Sequence, residues 1–180
     1  MSSHIEQLIR QSNRGKFLLF WGHQPAKDGT IRSTCLSQWW VAPFSHAGKE
    51  YRTAEHWMMA QKALLFGDAE IHARILAART PGEAKKLGRA VRGFDPVVWD
   101  AQKFEIVVEG NVLKFSQNPA EKEFLLQTGE RVLVEASPVD RVWGIGLAAD
   151  HPDALYPEKW KGHNLLGFAL MEVRKQLKNE

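Results

Sequence analysis

The stretch from Tyr51 to Phe66, YRTAEHWMMAQKALLF, constrains the fold more than any other part of the chain. It reads as a helix entered through Thr53, whose hydroxyl can accept a hydrogen bond from one of the first free backbone N–H groups. Glu55 falls in the first turn, where the positive end of the helix dipole favours a carboxylate. Lys62 follows two turns later on the same face, roughly 10 Å along the axis. Met58 and Met59 separate the two charges, so that face is mostly apolar. A solvated face would carry more polar residues. An acid and an amine set in apolar surface predict a pocket.

A chain of 180 residues with 44% hydrophobic and 25% charged residues can build a core around such a helix as one ordinary globular domain. The longest apolar runs, such as Phe17 to Trp21, fall far short of a bilayer span. Met1 to Gln11 has no apolar run of signal-peptide type, so a cytoplasmic location is expected. Cys35 is the single cysteine, which excludes an intrachain disulfide and a cysteine-based metal site. The 7 histidines are scattered without His-x-x-x-His or His/Cys spacing, so no metal and no cofactor is expected. The net charge of +3 suits a nucleotide, phosphate or nucleic-acid partner without requiring one.

The remaining elements follow from turn and cap chemistry. Met1 to Arg14 is a polar, peripheral N-terminal extension with a short helical stretch around Ile5 to Ile9. Lys16 to Trp21 reads as a buried strand and Gly22 to Ser33 as a loop. In LSQWWVAPF, Trp39 and Trp40 either pack in the core under a loop, or one of them lines a site and stacks on a planar ring. Pro43 to Arg52 reads as a hairpin turning near Ala47 and Gly48. The next helix starts at Pro81 and runs to about Val91, with Thr80 as N-cap and Glu83 three residues on. Ala84, Leu87 and Val91 form its apolar stripe, and Gly88 inside it predicts close approach of another backbone or a ligand.

Asp95-Pro96 begins a helix running to Phe115, with Phe104, Val108 and Phe115 in helical register. Asn118-Pro119 begins a shorter one that stops at Gly129. Arg131 to Ala136 is a strand, and Leu166, Leu170, Val173 and Leu177 mark a last helix from about Leu165. The order is helix-rich and strand-poor, so the fold class is α+β in a single compact domain with a small sheet. Between that strand and the last helix, Ser137 to Gly167 crowds aspartate, tryptophan and glycine into what must be mostly loop. Gly144 and Gly146 let the backbone bend sharply and approach a ligand, and Asn164 reads either as an N-cap or as a substrate-binding residue. The pair is not a dinucleotide fingerprint, because the third glycine and the strand–turn–helix setting are missing.

Taken together, TAEHWMMAQKALLF, the AKKLGRAVRGFD run, KFSQN, LLQTG, LVEASPVDRVWGIGL and WKGHNLLGFALMEVR resemble the NADAR family of N-glycosidases over about Phe17 to Leu177. The chain departs from the family pattern at Gln38 and Trp39, where members often carry an asparagine and an aromatic. The resemblance implies a compact α+β domain that hydrolyses N-glycosidic bonds to ribose. Two substrate groups are associated with such proteins. One is ADP-ribosylated DNA, in which removal of ADP-ribose from guanine reverses a toxin's modification and a toxin partner belongs to the same system. The other is ribosylated small molecules, the phosphoribosylamino-pyrimidine intermediates of riboflavin synthesis.

Cleaving a ribose C–N bond builds positive charge on the sugar, which a carboxylate can stabilise while an acid protonates the departing base. Glu55 and Asp140 are the carboxylates expected to do so, with Glu55 first because it projects from a rigid element. Lys62 offers a different route, attack on the anomeric carbon and an imine after ring opening, or else a plain ion pair. For substrate binding, Lys85 and Arg89 are candidates for a phosphate or pyrophosphate, and Trp143 for stacking on a base or covering the ribose. His56, beside the acid, is a candidate for contacting the ligand or orienting Glu55. A non-catalytic module binding ADP-ribose or nucleotides is the alternative to an enzyme.

Overall fold

Side-chain caps start four helices in the middle of the chain, and each cap lies at a residue type suited to accept from a first-turn N–H. Thr53 accepts from His56 N, Asp68 from Ile71 N, Thr80 from Glu83 N, and Asp95 from Val97 N and Val98 N. The computed structural model describes residues 3–10 and 16–179. Contacts gather the chain into two compact units, Gln38–Lys122 and Met1–Ser37 with Glu123–Glu180.

In the Gln38–Lys122 unit, strands β2 (Phe44–His46) and β3 (Lys49–Tyr51) form an antiparallel hairpin in which Phe44 opposes Tyr51. Ala47 and Gly48, at φ of 49° and 74°, make the turn that the sequence predicts there. The hairpin leads into helix α2 (Ala54–Leu65), and α3 (Ala69–Ala77), α4 (Pro81–Arg89) and α5 (Pro96–Gln117) pack around it. Every residue of α2 from Ala54 to Ala60 is buried, so this helix is the core of the unit rather than its surface.

Two glycines set how closely the neighbours approach α2. A Cβ at Gly88 of α4 would run into the Met59 side chain, so the close approach expected there comes from a side chain of α2. At Gly110 of α5 the occupant is the Trp57 indole, whose Nε1 donates to Ile106 O at 2.8 Å. Helix α3 was not anticipated, although Asp68 caps it as clearly as Thr80 caps α4. Arg92 donates to both Asp68 oxygens and holds that carboxyl well below the usual carboxylate range.

The other unit contains α1 (Ser3–Arg10), β1 (Phe17–Phe20), a 3₁₀ turn (Ser33–Leu36), β4 (Val132–Glu135), a second 3₁₀ turn (Pro157–Lys159) and α7 (Leu165–Lys178). The unit boundary falls within α6 (Pro119–Gln127). Strands β1 and β4 are parallel, with Phe17 opposite Val132 and Phe20 opposite Glu135. The sequence reading overstates the burial of β1: only Phe20 is buried, and Trp21 is exposed.

Helix α7 packs its stripe of Leu166, Leu170, Val173 and Leu177 inward, all buried, and contacts β4. Its buried Arg174 donates to Thr128 Oγ1 and Arg131 O, which satisfies a charge that burial disfavours. The short helix expected around Ile5 to Ile9 is α1. Residues 1–2 and 11–14 of the expected N-terminal extension lie outside the described residues. The class is α+β as expected, helix-rich with two two-stranded sheets among the described residues.

Candidate functional site

The first turn of α2 is built from the cap outward. Thr53 Oγ1 accepts from His56 N at 3.3 Å and lies 2.7 Å from His56 Nδ1. His56 Nε2 lies 3.1 Å from Ala78 O, and a carbonyl only accepts, so Nε2 carries the proton and Nδ1 takes the Thr53 hydroxyl hydrogen. That arrangement suits a neutral ring, and burial pushes His56 below the usual histidine range. His56 is 1% exposed with both ring nitrogens bonded to the protein, so it belongs to the fold rather than facing a ligand.

Glu55 is 4% exposed, and its backbone N–H donates to Gln38 O at 3.0 Å. Gln38 is itself anchored: its Oε1 accepts from Asn111 Nδ2 at 2.8 Å, and Asn111 Nδ2 also donates to Val107 O at 2.8 Å. Gln38 Nε2 and Asn111 Oδ1 are buried and have no hydrogen-bond partner among the described residues. Each such group costs about 1–3 kcal/mol of stability. Lys114, three residues beyond Asn111 on α5, is fully buried, with Nζ 4.9 Å from the Phe115 ring centroid. The sequence reading does not single out Asn111 or Lys114, and it names Gln38 only as a departure from the family pattern. For Asn111 and Lys114 the signal is present in α5, where they interrupt the buried stripe of Val107, Val108 and Phe115.

Lys62 is half-buried, with Nζ 4.2 Å from the Phe94 ring centroid and 5.7 Å from that of Trp99. Burial pushes the amine below its usual range, and the like charge of Arg89 adds to the effect. No carboxylate pairs with Lys62 among the described residues. Lys85 Nζ lies 5.9 Å from the Trp39 ring centroid. Trp40 is buried and donates to Glu121 Oε1 at 3.0 Å, so of the two tryptophans Trp39 is the more exposed. Arg89, one turn after Lys85, is exposed. This unit therefore carries Glu55, Lys62, Trp39, Lys85 and Arg89 on α2, on α4 and just before the hairpin.

The remaining predicted residues lie in the other unit, and most of them are accounted for by its backbone. Asp140 Oδ1 accepts from Val142 N and Trp143 N, both at 2.8 Å, and so closes an Asx turn that positions the half-buried Trp143. A Cβ at Gly144 would lie 2.9 Å from Glu135 O, and Gly146 has a φ of 67°. Lys161 N donates to Ile145 O, His163 N to Arg141 O and Asn164 N to Gly144 O. The close approach expected at Gly144 is thus to this chain's own backbone.

Asn164 does not cap α7 with its side chain. At a φ of 52° it turns that side chain to β4, where Oδ1 accepts from Glu135 N and Nδ2 donates to Leu133 O, both at 3.0 Å. Among the described residues, no group of three or more His, Cys, Asp or Glu side chains could hold a metal ion. No described helix is long and apolar enough to cross a membrane.

A family model described as the NADAR domain matches residues 19–178. The chain belongs to the NADAR family. N-glycosidase R617 of Acanthamoeba polyphaga mimivirus is 44% identical over 166 residues, covering 89% of this chain and 96% of that protein. The riboflavin biosynthesis protein PYRR, chloroplastic, of Zea mays is 33% identical over 132 residues, covering 69% of this chain and 19% of that protein. The NMR structure of the Escherichia coli protein YbiA superposes with a TM-score of 0.73 at 26% identity, covering 91% of this chain and 86% of that one.

The relatives that are named for an activity support a glycosidase hydrolase activity for this NADAR chain. Its α2 residues have the chemistry for one. A buried carboxylate acts strongly on positive charge developing nearby, because the surroundings screen it poorly. An amine with no acid partner and a lowered pKa is more often present as the free base.

Proposed function

We propose that this NADAR chain hydrolyses the N-glycosidic bond between ribose and a base, and that its substrate is ADP-ribose attached to guanine in DNA. One observation carries the reading: a carboxylate, Glu55, held out of water in the first turn of a buried helix. As the C–N bond breaks, Glu55 stabilises the positive charge on the sugar or takes a proton from the attacking water, and the base leaves with a proton. Lys62, its charged form disfavoured by burial and by Arg89, supports a covalent variant. The free amine attacks the anomeric carbon and displaces the base, which leaves with a proton; the ring then opens to an imine, water hydrolyses it to release the sugar, and the amine is regenerated. Trp39 stacks on a planar ring, while Lys85 and Arg89 neutralise phosphate oxygens.

The net charge of +3 and the cations Lys85, Lys86 and Arg89 of α4 favour the larger, more anionic substrate. A phosphoribosylamino-pyrimidine is the second reading, favoured by the riboflavin biosynthesis name of the maize relative. The deciding experiment assays both substrates side by side, with and without borohydride. Release of free ADP-ribose from an ADP-ribosylated oligonucleotide supports the first reading, and turnover of the pyrimidine alone supports the second. Stoichiometric binding without release makes the protein a binding module. A sugar adduct trapped at Lys62 and seen by mass spectrometry marks the covalent variant.

A further inference from the structure

We infer that Asn111 and Gln38 are positioning residues, which together hold the first turn of α2 and so fix the place of the Glu55 carboxylate. The inference rests on the reading of Glu55 as the reacting carboxylate. Glu55 N is one of the first-turn donors that a helix leaves without an internal partner. The Thr53 hydroxyl is already occupied by His56 N, and it is Gln38 O, outside the helix, that takes Glu55 N. The position of this turn therefore depends on what holds residue 38.

Residue 38 is held by a long-range contact. Asn111 Nδ2 has two hydrogens, one on Val107 O and the other on Gln38 Oε1. The bond to Val107 O, within α5, settles which way the Asn111 amide faces, and that in turn settles which way Gln38 faces. The Trp57 indole ties the same two helices, through Ile106 O and against Gly110. Hence the path from α5 to Glu55 runs Val107 O, Asn111, Gln38 and the Glu55 amide, all inside one unit.

The two unpartnered atoms carry a cost in stability that an apolar pair in the same place would not. Gln38 Nε2 and Asn111 Oδ1 are buried with no partner among the described residues. An apolar pair of similar shape would leave no such atoms, and replacing both members of a buried polar pair is close to neutral or stabilising. What the amide pair supplies and an apolar pair does not is a directional hold on residue 38.

The test uses Gln38→Met, Asn111→Leu and the double variant, which keep roughly the side-chain volumes. Each single variant is expected to lower kcat about tenfold or more with KM within about twofold, and to speed hydrogen exchange of the Glu55 amide by a similar factor. The double variant is expected to lose no more kcat than either single one, because both cut the same tie, while its Tm equals or exceeds that of the unaltered protein. The kinetic probe is whichever of the ADP-ribosylated oligonucleotide and the phosphoribosylamino-pyrimidine is turned over. Unchanged exchange at the Glu55 amide in folded Gln38→Met overturns the inference, with or without a working substrate. So does a fall in Tm with no change in kcat, which is what a merely structural pair would give. If Glu55→Gln keeps full activity, the reading of Glu55 fails instead, and the exchange result still stands on its own.

Discussion

The first turn of α2 and the Ser137–Gly167 loop both stand out in the sequence for their special residues, yet the structure uses those residues in opposite ways. In the loop, Asp140 closes a turn, Asn164 pairs with β4, and Gly144 and Gly162 leave room for backbone. These residues hold the fold. Around α2, by contrast, Gln38 and Asn111 keep buried atoms with no partner among the described residues, and Lys62 sits among rings with the like charge of Arg89 bearing on it. Unusual residues alone do not mark a site. The better marker is a buried polar group whose local bonding is costly or incomplete.

The contrast can be broken most directly at Glu55. Glu55→Gln is expected to reduce turnover by about 10²–10⁴-fold with the fold retained by circular dichroism. Retention of more than half the activity would move the chemistry away from α2. In the loop unit the expected effect is on stability. Gly167→Ala places a methyl against Leu133 O and the Asn164 amide, neither of which can move without separating α7 from β4. It is expected to cost about 1–3 kcal/mol and lower Tm by several degrees.

Gly82→Ala serves as the control, since its Cβ would meet the Trp39 ring at 3.6 Å and Thr80 Oγ1 at 4.0 Å, both ordinary contacts, and its Tm should hold or rise slightly. A Gly167→Ala protein as stable as this control would show that the α7–β4 contact is looser than described.

The smallest effect is in pH. His56 and His72 are both pushed down by burial, so on acidification the unfolded chain takes up protons before the folded one. Stability should therefore fall as pH drops from about 6.5, the unfolded histidine value, through the lower folded values. Thermal melts between pH 7.5 and 5.5 read it, and His56→Gln should flatten the slope. A Tm that stays level or rises on acidification would contradict the buried neutral His56 that anchors the α2 cap.

Much of the fold was legible because its cues act over a few residues. Thr53 starts α2, Thr80 and Pro81 start α4, Asp95 and Pro96 start α5, and Ala47-Gly48 turns the hairpin. Helix α3 had the same kind of cue in Asp68, followed by Ile71 and Ile75 facing inward, and it went unread for no physical reason. The family itself was also legible, because its motifs are runs of neighbouring residues.

The partners of single side chains were not legible in this way. Asp140 found its partners two and three residues away, within reach of turn chemistry. Asn164 found its own 29 and 31 residues away. Gln38 and Asn111 meet across 73 residues, and nothing near either one announces the other. The sequence by itself determined the helices, the hairpin, the family and the placing of an acid and an amine on one helix, since caps, turns and spacing are local. Only the tertiary structure decided that His56 belongs to the fold, that Asn164 serves β4, and that Glu55 hangs on an amide pair. Those outcomes depend on which elements come to lie side by side, and that is settled by packing over the whole of each unit.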